Sequence, residues 1–165
     1  MRILQIIDSL EAGGAERMAV NYANGLANEV KFSGLVVSRK EGPLLSQISS
    51  NVSYLFLNKK SVLDIQSVLK LRKFVIKNKV EVLHAHSTSF FLFFLLKLTF
   101  PKIKIIWHDH YGARVNQRLR SNLILYFLSF FFSAVFVVNY QLKDWIKKNL
   151  ICKKVFYIPN FALPD

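Results

Sequence analysis

A chain of 165 residues, 52% hydrophobic and 20% charged, is long enough to bury a core of one domain and too apolar to be disordered. Its 23 lysines and arginines against 10 aspartates and glutamates leave a net charge of +13, which points to anionic partners: phosphates, nucleic acid or an anionic membrane face. The single cysteine, Cys152, excludes an internal disulfide framework and fits a reducing compartment, so a cytoplasmic location is expected.

In chain order, "RILQII" stops at Asp8. That is shorter than the about 7 to 15 apolar residues of a signal-peptide core, and it reads as a first strand. Behind the loop "SLEAGG", Met18, Tyr22 and Leu26 recur on one helical face. "KFSGLVVS" and "VSYLFL" read as strands. A helix over Val62 to Asn78 follows, with Ile65 and Leu69, then Val68, Leu71 and Val75 toward the core, and Lys70, Arg72, Lys73 and Lys77 solvated. "VEVLHA" and "KIKIIW" are strands on either side of the apolar run Phe90 to Phe100. Leu123 to Phe132 suits a buried helix, "SAVFVV" a strand, and "KVFYIP" a last strand. Both greasy runs fall short of the roughly 20 apolar residues that span a bilayer, so buried core is preferred to insertion.

Alternating strands and helices, with strands that are almost wholly apolar, predict a Rossmann-like doubly wound parallel sheet with helices on both faces. In such sheets ligands bind beyond the carboxyl ends of the strands. The chemically unusual residues sit there: Gly13-Gly14, His86-Ser87, His108-Asp109-His110 and Asn139-Tyr140.

"AGGAER" is not the dinucleotide fingerprint. Two glycines before a helix serve either as a tight turn or as a phosphate cradle at the helix N-terminus. The "HAH" and "HDH" spacings put two imidazoles on one face of a strand, as a zinc site could use. No cysteine or carboxylate cluster completes a ligand set, and no metal is expected. A single histidine acting near neutral pH requires less to be arranged.

In succession, "GGAER", "VEVLHAHS", "KIIWHDHYG", "AVFVVNYQLKDWI" and "VFYIPNFALPD" resemble the N-terminal half of a GT-B type retaining glycosyltransferase, closest to the bacterial family 4 enzymes of surface polysaccharide and lipid-linked oligosaccharide synthesis. The resemblance covers essentially the whole chain. It implies an acceptor-side domain over residues 1–158 and the start of an interdomain linker over 159–165. The donor-binding domain, with its Glu-x7-Glu motif, is absent from this chain, so a fragment is expected, inactive alone. Phe161 stands where the family's linker has glycine.

The resemblance further implies that Gly13 and Gly14 face the donor diphosphate and that Glu16 closes the glycine motif. His108 would lie against the transferred sugar, as the catalytic candidate, and His86 is the edge histidine. Asp109, His110 and Arg114 are expected to shape the acceptor pocket, and Arg118 and Arg120 to meet an acceptor phosphate or remain solvated. No cofactor or metal is implied. The partners implied are a nucleoside-diphosphate sugar and a saccharide or lipid-linked acceptor.

The clusters Lys59-Lys60, Lys70 to Lys79 and Lys143 to Lys154 could hold the domain on anionic lipid, or only solubilise it. Two other classes compete: a stand-alone, non-catalytic module for a nucleotide or phosphosugar, and a nucleic-acid binder. The second needs exposed aromatics interleaved with the basic residues. Phe90, Phe91, Phe93, Phe94 and Phe130 to Phe132 instead lie in runs that read as buried, and no nucleic acid is expected.

Overall fold

A computed structural model describes residues 1–61, 63–116 and 122–162. Arg118 and Arg120 lie outside the described residues.

Seven parallel strands form one sheet in the order β3-β2-β1-β4-β5-β6-β7. They are β1 (Arg2–Ser9), β2 (Phe32–Lys40), β3 (Ser53–Phe56), β4 (Val82–His86), β5 (Lys104–Asp109), β6 (Ala134–Val137) and β7 (Val155–Tyr157). The helices are α1 (Gly14–Leu26), α2 (Ile65–Lys77), α3 (Phe90–Thr99), α4 (Leu123–Leu128) and α5 (Tyr140–Asn149). The expected Rossmann-like architecture is present. Because β1 pairs with both β2 and β4, the strand order reverses beside β1, and the switch point lies between β1 and β4.

Side chains alternate across a strand, so each strand feeds two cores. Leu4, Ile6, Leu83, Ala85, Ile105, Trp107, Val135 and Val137 pack with buried residues of α2, α3, α4 and α5. On the other face Ile7, Leu35 and Val37 pack with Ala19, Val20 and Ala23 of α1 and with Leu44 of a short 3-10 turn. His84, His86 and His108 alternate with Leu83, Ala85 and Trp107, and therefore point to the α1 face.

Two local expectations need correction. On α2, Val68, Leu71 and Val75 are buried, but Ile65 is 71% exposed and Leu69 49%. The helix starts at the Asp64 N-cap, which accepts from the Ser67 N–H, and only one of its two apolar rows meets the sheet. The run from Leu123 is not a buried helix throughout. Leu125, Leu128 and Phe132 are buried, while Leu123, Ile124, Phe127 and Phe130 face solvent. Among the described residues no helix is long and apolar enough to cross a membrane.

After β7 the chain returns over α1. The Asn21 side chain donates to the Phe161 carbonyl at 2.7 Å, and the Phe161 ring meets Tyr22 edge-on at 5.0 Å. This tail roofs the histidine-bearing face.

Candidate functional site

Three strand ends at the switch point open onto one cleft of about 650 Å³. Gly14, Ala15 and Glu16 come from the start of α1, Ser87 and Thr88 from the end of β4, His110, Tyr111 and Arg114 from the end of β5, and Asn122 and Asn160 complete the wall. Asn139, expected at this edge, is occupied as the N-cap of α5, where its side chain accepts from the Leu142 N–H at 2.7 Å.

The glycine loop is shaped by Glu16. A side-chain carbon on Gly13 would lie 2.3 Å from Glu16 Oε2, so the carboxylate folds back over its own helix start; nothing stands near Gly14. Glu16 also accepts from Ser9 Oγ at 3.3 Å. A carboxylate in the first turn of α1 complements the helix dipole. Gly13 has an extended backbone that any residue can adopt, and what a side chain there would displace is the movable end of Glu16.

The end of β4 carries the backbone strain. Ser87 has φ of 52°, a left-handed conformation that costs a non-glycine residue about 1 kcal/mol or more. Its carbonyl accepts from Trp107 Nε1 at 2.8 Å, and Thr88 Oγ1 donates to Asp8 Oδ2 at 2.6 Å. Ser38 Oγ donates to the other oxygen of Asp8 at 2.6 Å. Asp8 therefore ties the ends of β1, β2 and β4 together. Sequence reasoning missed Asp8, Thr88 and Asn160; their signal was position near the carboxyl end of a strand, inside β1 for Asp8 and beyond β4 and β7 for the other two, without unusual chemistry.

Asp109 has no exposure and is gripped by Arg114. The guanidinium Nε donates to Oδ2 and Nη2 to Oδ1 at 3.3 Å, while the Tyr111 N–H reaches Oδ1 at 3.1 Å. Nη1 of Arg114 donates to Asn122 at 2.8 Å, and the guanidinium lies 5.3 Å from the Trp107 ring. Burial pushes the Asp109 carboxyl up, and Arg114 and the Tyr111 N–H pull it back. This pair fixes the loop after β5, and Arg114 extends to the cleft wall.

Four imidazoles fill the α1 side of the switch point. His108 stacks on His110 at 4.0 Å and on His84 at 5.3 Å, and the Tyr22 ring closes over His84 and His108 at 4.8 and 5.8 Å. His86 Nε2 is 2.9 Å from Gln5 Oε1, and its Nδ1 is 3.1 Å from His110 Nε2. Both ring nitrogens of His108 and Nε2 of His84 are buried without a hydrogen-bond partner.

Desolvation of the charged form lowers all four pKa values: His84 to about 3, His110 to about 4, and His86 and His108 well below their ordinary range. The stack is neutral at physiological pH. His108 and His86, both placed at the strand edge by sequence reasoning, are the last inward-facing rings of β5 and β4; His110 is the imidazole that reaches the cleft.

Ring nitrogens of His84, His86 and His108 all lie within 4.8 Å of one another. Ligands of one zinc stand about 2.0–2.1 Å from it, with lone pairs that meet at a point. Here the His84 and His108 planes are within 8° of parallel and His86 is engaged at both nitrogens, so the rings as placed do not converge.

A sequence model of Glycosyltransferase Family 4 matches residues 12–162, nearly the whole chain. The chain belongs to glycosyltransferase family 4. Among curated proteins no sequence matches. Similar solved structures include Anabaena Alr3699/HepE in complex with UDP and glucose (TM-score 0.73, 15% identity, 97% of this chain and 44% of that one). The lipopolysaccharide outer core galactosyltransferase WaaB is similar too (TM-score 0.68, 11% identity, 94% and 44%). So is a glycosyltransferase of Rickettsia africae (TM-score 0.67, 16% identity, 96% and 42%). At these identities the likeness speaks for the fold. The chain spans less than half the length of each of these proteins. Gly13, Gly14, Glu16, the four histidines, Asp109 and Arg114 all lie within the matched residues.

Proposed function

We propose that this chain is the acceptor-side, N-terminal half of a retaining GT-B glycosyltransferase, which moves a sugar from a nucleoside-diphosphate sugar to a saccharide or lipid-linked acceptor in cell-envelope polysaccharide synthesis. The observation that carries the reading is the family 4 match over residues 12–162, on a chain whose switch-point cleft is lined by Gly14, Glu16, His110 and Arg114. Anabaena Alr3699/HepE binds UDP-glucose, and a donor of that class is assigned here to the half of the protein beyond this chain.

Contact with the reacting sugar is assigned to the His108–His110 pair, His110 at the cleft surface and His108 stacked beneath it. Arg114, oriented by Asp109, and the hydroxyls of Thr88 and Tyr111 bind the acceptor. The first-turn amides of α1 at Gly14 and Ala15 face charge that develops on the leaving diphosphate, the preorganised arrangement that stabilises an anion best. No metal and no cofactor enter this reading, nor does nucleic acid. The basic surplus serves an anionic membrane on the cytoplasmic side, where lipid-linked acceptors would be met.

The stand-alone module is not favoured, since the family match extends to residue 162, over the tail on α1. The test is transfer by the whole protein from a panel of labelled nucleotide sugars to saccharide and lipid-linked acceptors. Transfer that is lost in His110→Ala, with folding intact, supports the reading; donor binding without transfer to any acceptor would leave only a binding module.

A further inference from the structure

The six residues of α4, Leu123 to Leu128, are all apolar or aromatic, and three more phenylalanines follow Ser129. A helix apolar on every side belongs inside a protein. Here Leu125, Leu128 and Phe132 take the inward positions, and the outward row is bare: Ile124 is 64% exposed, Phe127 64% and Phe130 68%. Phe94 of α3 meets Phe131 at 5.4 Å, and Leu98, one turn along α3, is exposed as well. A contiguous apolar surface of this kind marks a non-aqueous neighbour.

The charge around it selects the neighbour. Between Glu81 and Asp144 the only acidic residue is Asp109, which is buried and paired with Arg114. Over the same stretch the chain carries Lys97, Lys102 and Lys104. Phe130 shares a shallow cleft with Lys104, Lys153 and Lys154. Exposed aromatics rimmed by lysines are the chemistry of an interfacial membrane helix.

We infer that the outward face of α4, with Leu98 of α3, docks on an anionic lipid bilayer, its apolar row entering the interface and the lysines meeting the headgroups. The placement gives this a purpose. Asn122 lines the functional cleft, and Leu123, the next residue, begins the exposed row, so the cleft opens at the rim of the docking surface. An acceptor carried on a lipid would present its sugar there. The inference rests on the lipid-linked reading above for that purpose alone.

The experiment is flotation of the whole protein with vesicles of phosphatidylcholine and phosphatidylglycerol, and with phosphatidylcholine alone. The wild type is expected to float with the anionic vesicles and to be released by high salt. Phe127→Ser/Phe130→Ser is expected to bind at least about tenfold more weakly with an unchanged melting temperature, since both rings are exposed. Ile65→Ser/Leu69→Ser, which removes exposed apolar residues from α2, is expected to bind as the wild type does.

Equal flotation of the Phe127/Phe130 variant overturns the inference, as does an equal loss in the α2 variant. So does a concentration-dependent dimer that the Phe127/Phe130 variant abolishes while lipid binding stays unchanged. Flotation needs neither donor nor acceptor: a protein that floats but transfers nothing sinks the proposed function and leaves this inference standing, and the converse also holds.

Discussion

His110 Nε2 lies 3.1 Å from His86 Nδ1, so the imidazole at the cleft surface is tied to one with no exposure at all. With Gln5 Oε1 accepting, His86 donates from Nε2, and its Nδ1 accepts the His110 Nε2 proton. The tautomer of a cleft residue is thereby set from β1, two strands away in the sheet. Neutral rings are what this line requires, and burial keeps them neutral.

Acid should therefore unfold the protein through this stack. Each of these histidines has a folded pKa below the ordinary 6.5, so at neutral pH both folded and unfolded forms are uncharged. As pH falls below about 6.5 the unfolded chain takes up protons that the folded one refuses. Stability is lost until the folded values, about 4 for His110 and about 3 for His84, are reached. The slope is up to about 1.4 kcal/mol per pH unit for each histidine. Urea midpoints measured between about pH 7.5 and 5 should fall steadily; a flat series would mean that the rings titrate normally in the fold.

Removing Arg114 should cost more than removing an exposed arginine. Asp109 is fully buried, and without the guanidinium its carboxylate is left uncompensated, a loss of about 3–5 kcal/mol. Lysine supplies the charge but not the fork onto Asp109 and Asn122, so Arg114→Lys should fall between the wild type and Arg114→Ala. In the double variant Asp109→Asn/Arg114→Ala the losses should be less than additive, because the charge that suffered is gone. Additive denaturation energies would show that the two side chains act apart.

The glycine pair should separate structure from cleft. Gly13→Ala pushes against the movable end of Glu16, so the fold changes little while the carboxylate leaves Ser9. Gly14→Ala meets nothing within 4 Å and adds its methyl where the cleft is lined. Melting temperatures of both should lie near the wild type. Transfer activity should fall in Gly13→Ala and recover when Glu16 is shortened to aspartate in the same chain; failure of that rescue would place the defect in the loop backbone.

The sheet was legible in the sequence because alternating α and β elements with apolar strands admit few architectures, and each of the seven expected strand runs overlaps one of β1 to β7. The depth of the site was not. A strand end is uncertain by one or two residues. "KIKIIW" ends at Trp107, whereas β5 continues to Asp109, and those two residues turn His108 from an edge group into a buried one. For α2 the pattern admits two apolar rows; only contact with the sheet decides that Val68, Leu71 and Val75 go inward and Ile65 and Leu69 do not. The bare face of α4 was hidden for the opposite reason: a helix that is apolar all round carries no polar stripe to mark its outward side.

His108 gives the sharpest test of whether the stack serves stability or function. Both of its ring nitrogens are buried without a hydrogen-bond partner, and an unsatisfied buried polar group costs about 1–3 kcal/mol. His84 and Tyr22 pack around it, so an apolar side chain of similar size should fill the place. His108→Leu is therefore expected to raise the unfolding free energy by about 1 kcal/mol, and to flatten the acid slope as one titrating ring is lost. If the ring is kept because His110 rests on it at 4.0 Å, the same variant should lose transfer activity while gaining stability. A variant that is both less stable and fully active would reverse the assignment, making His108 a core residue with partners that the stack does not reveal and leaving His110 to act alone.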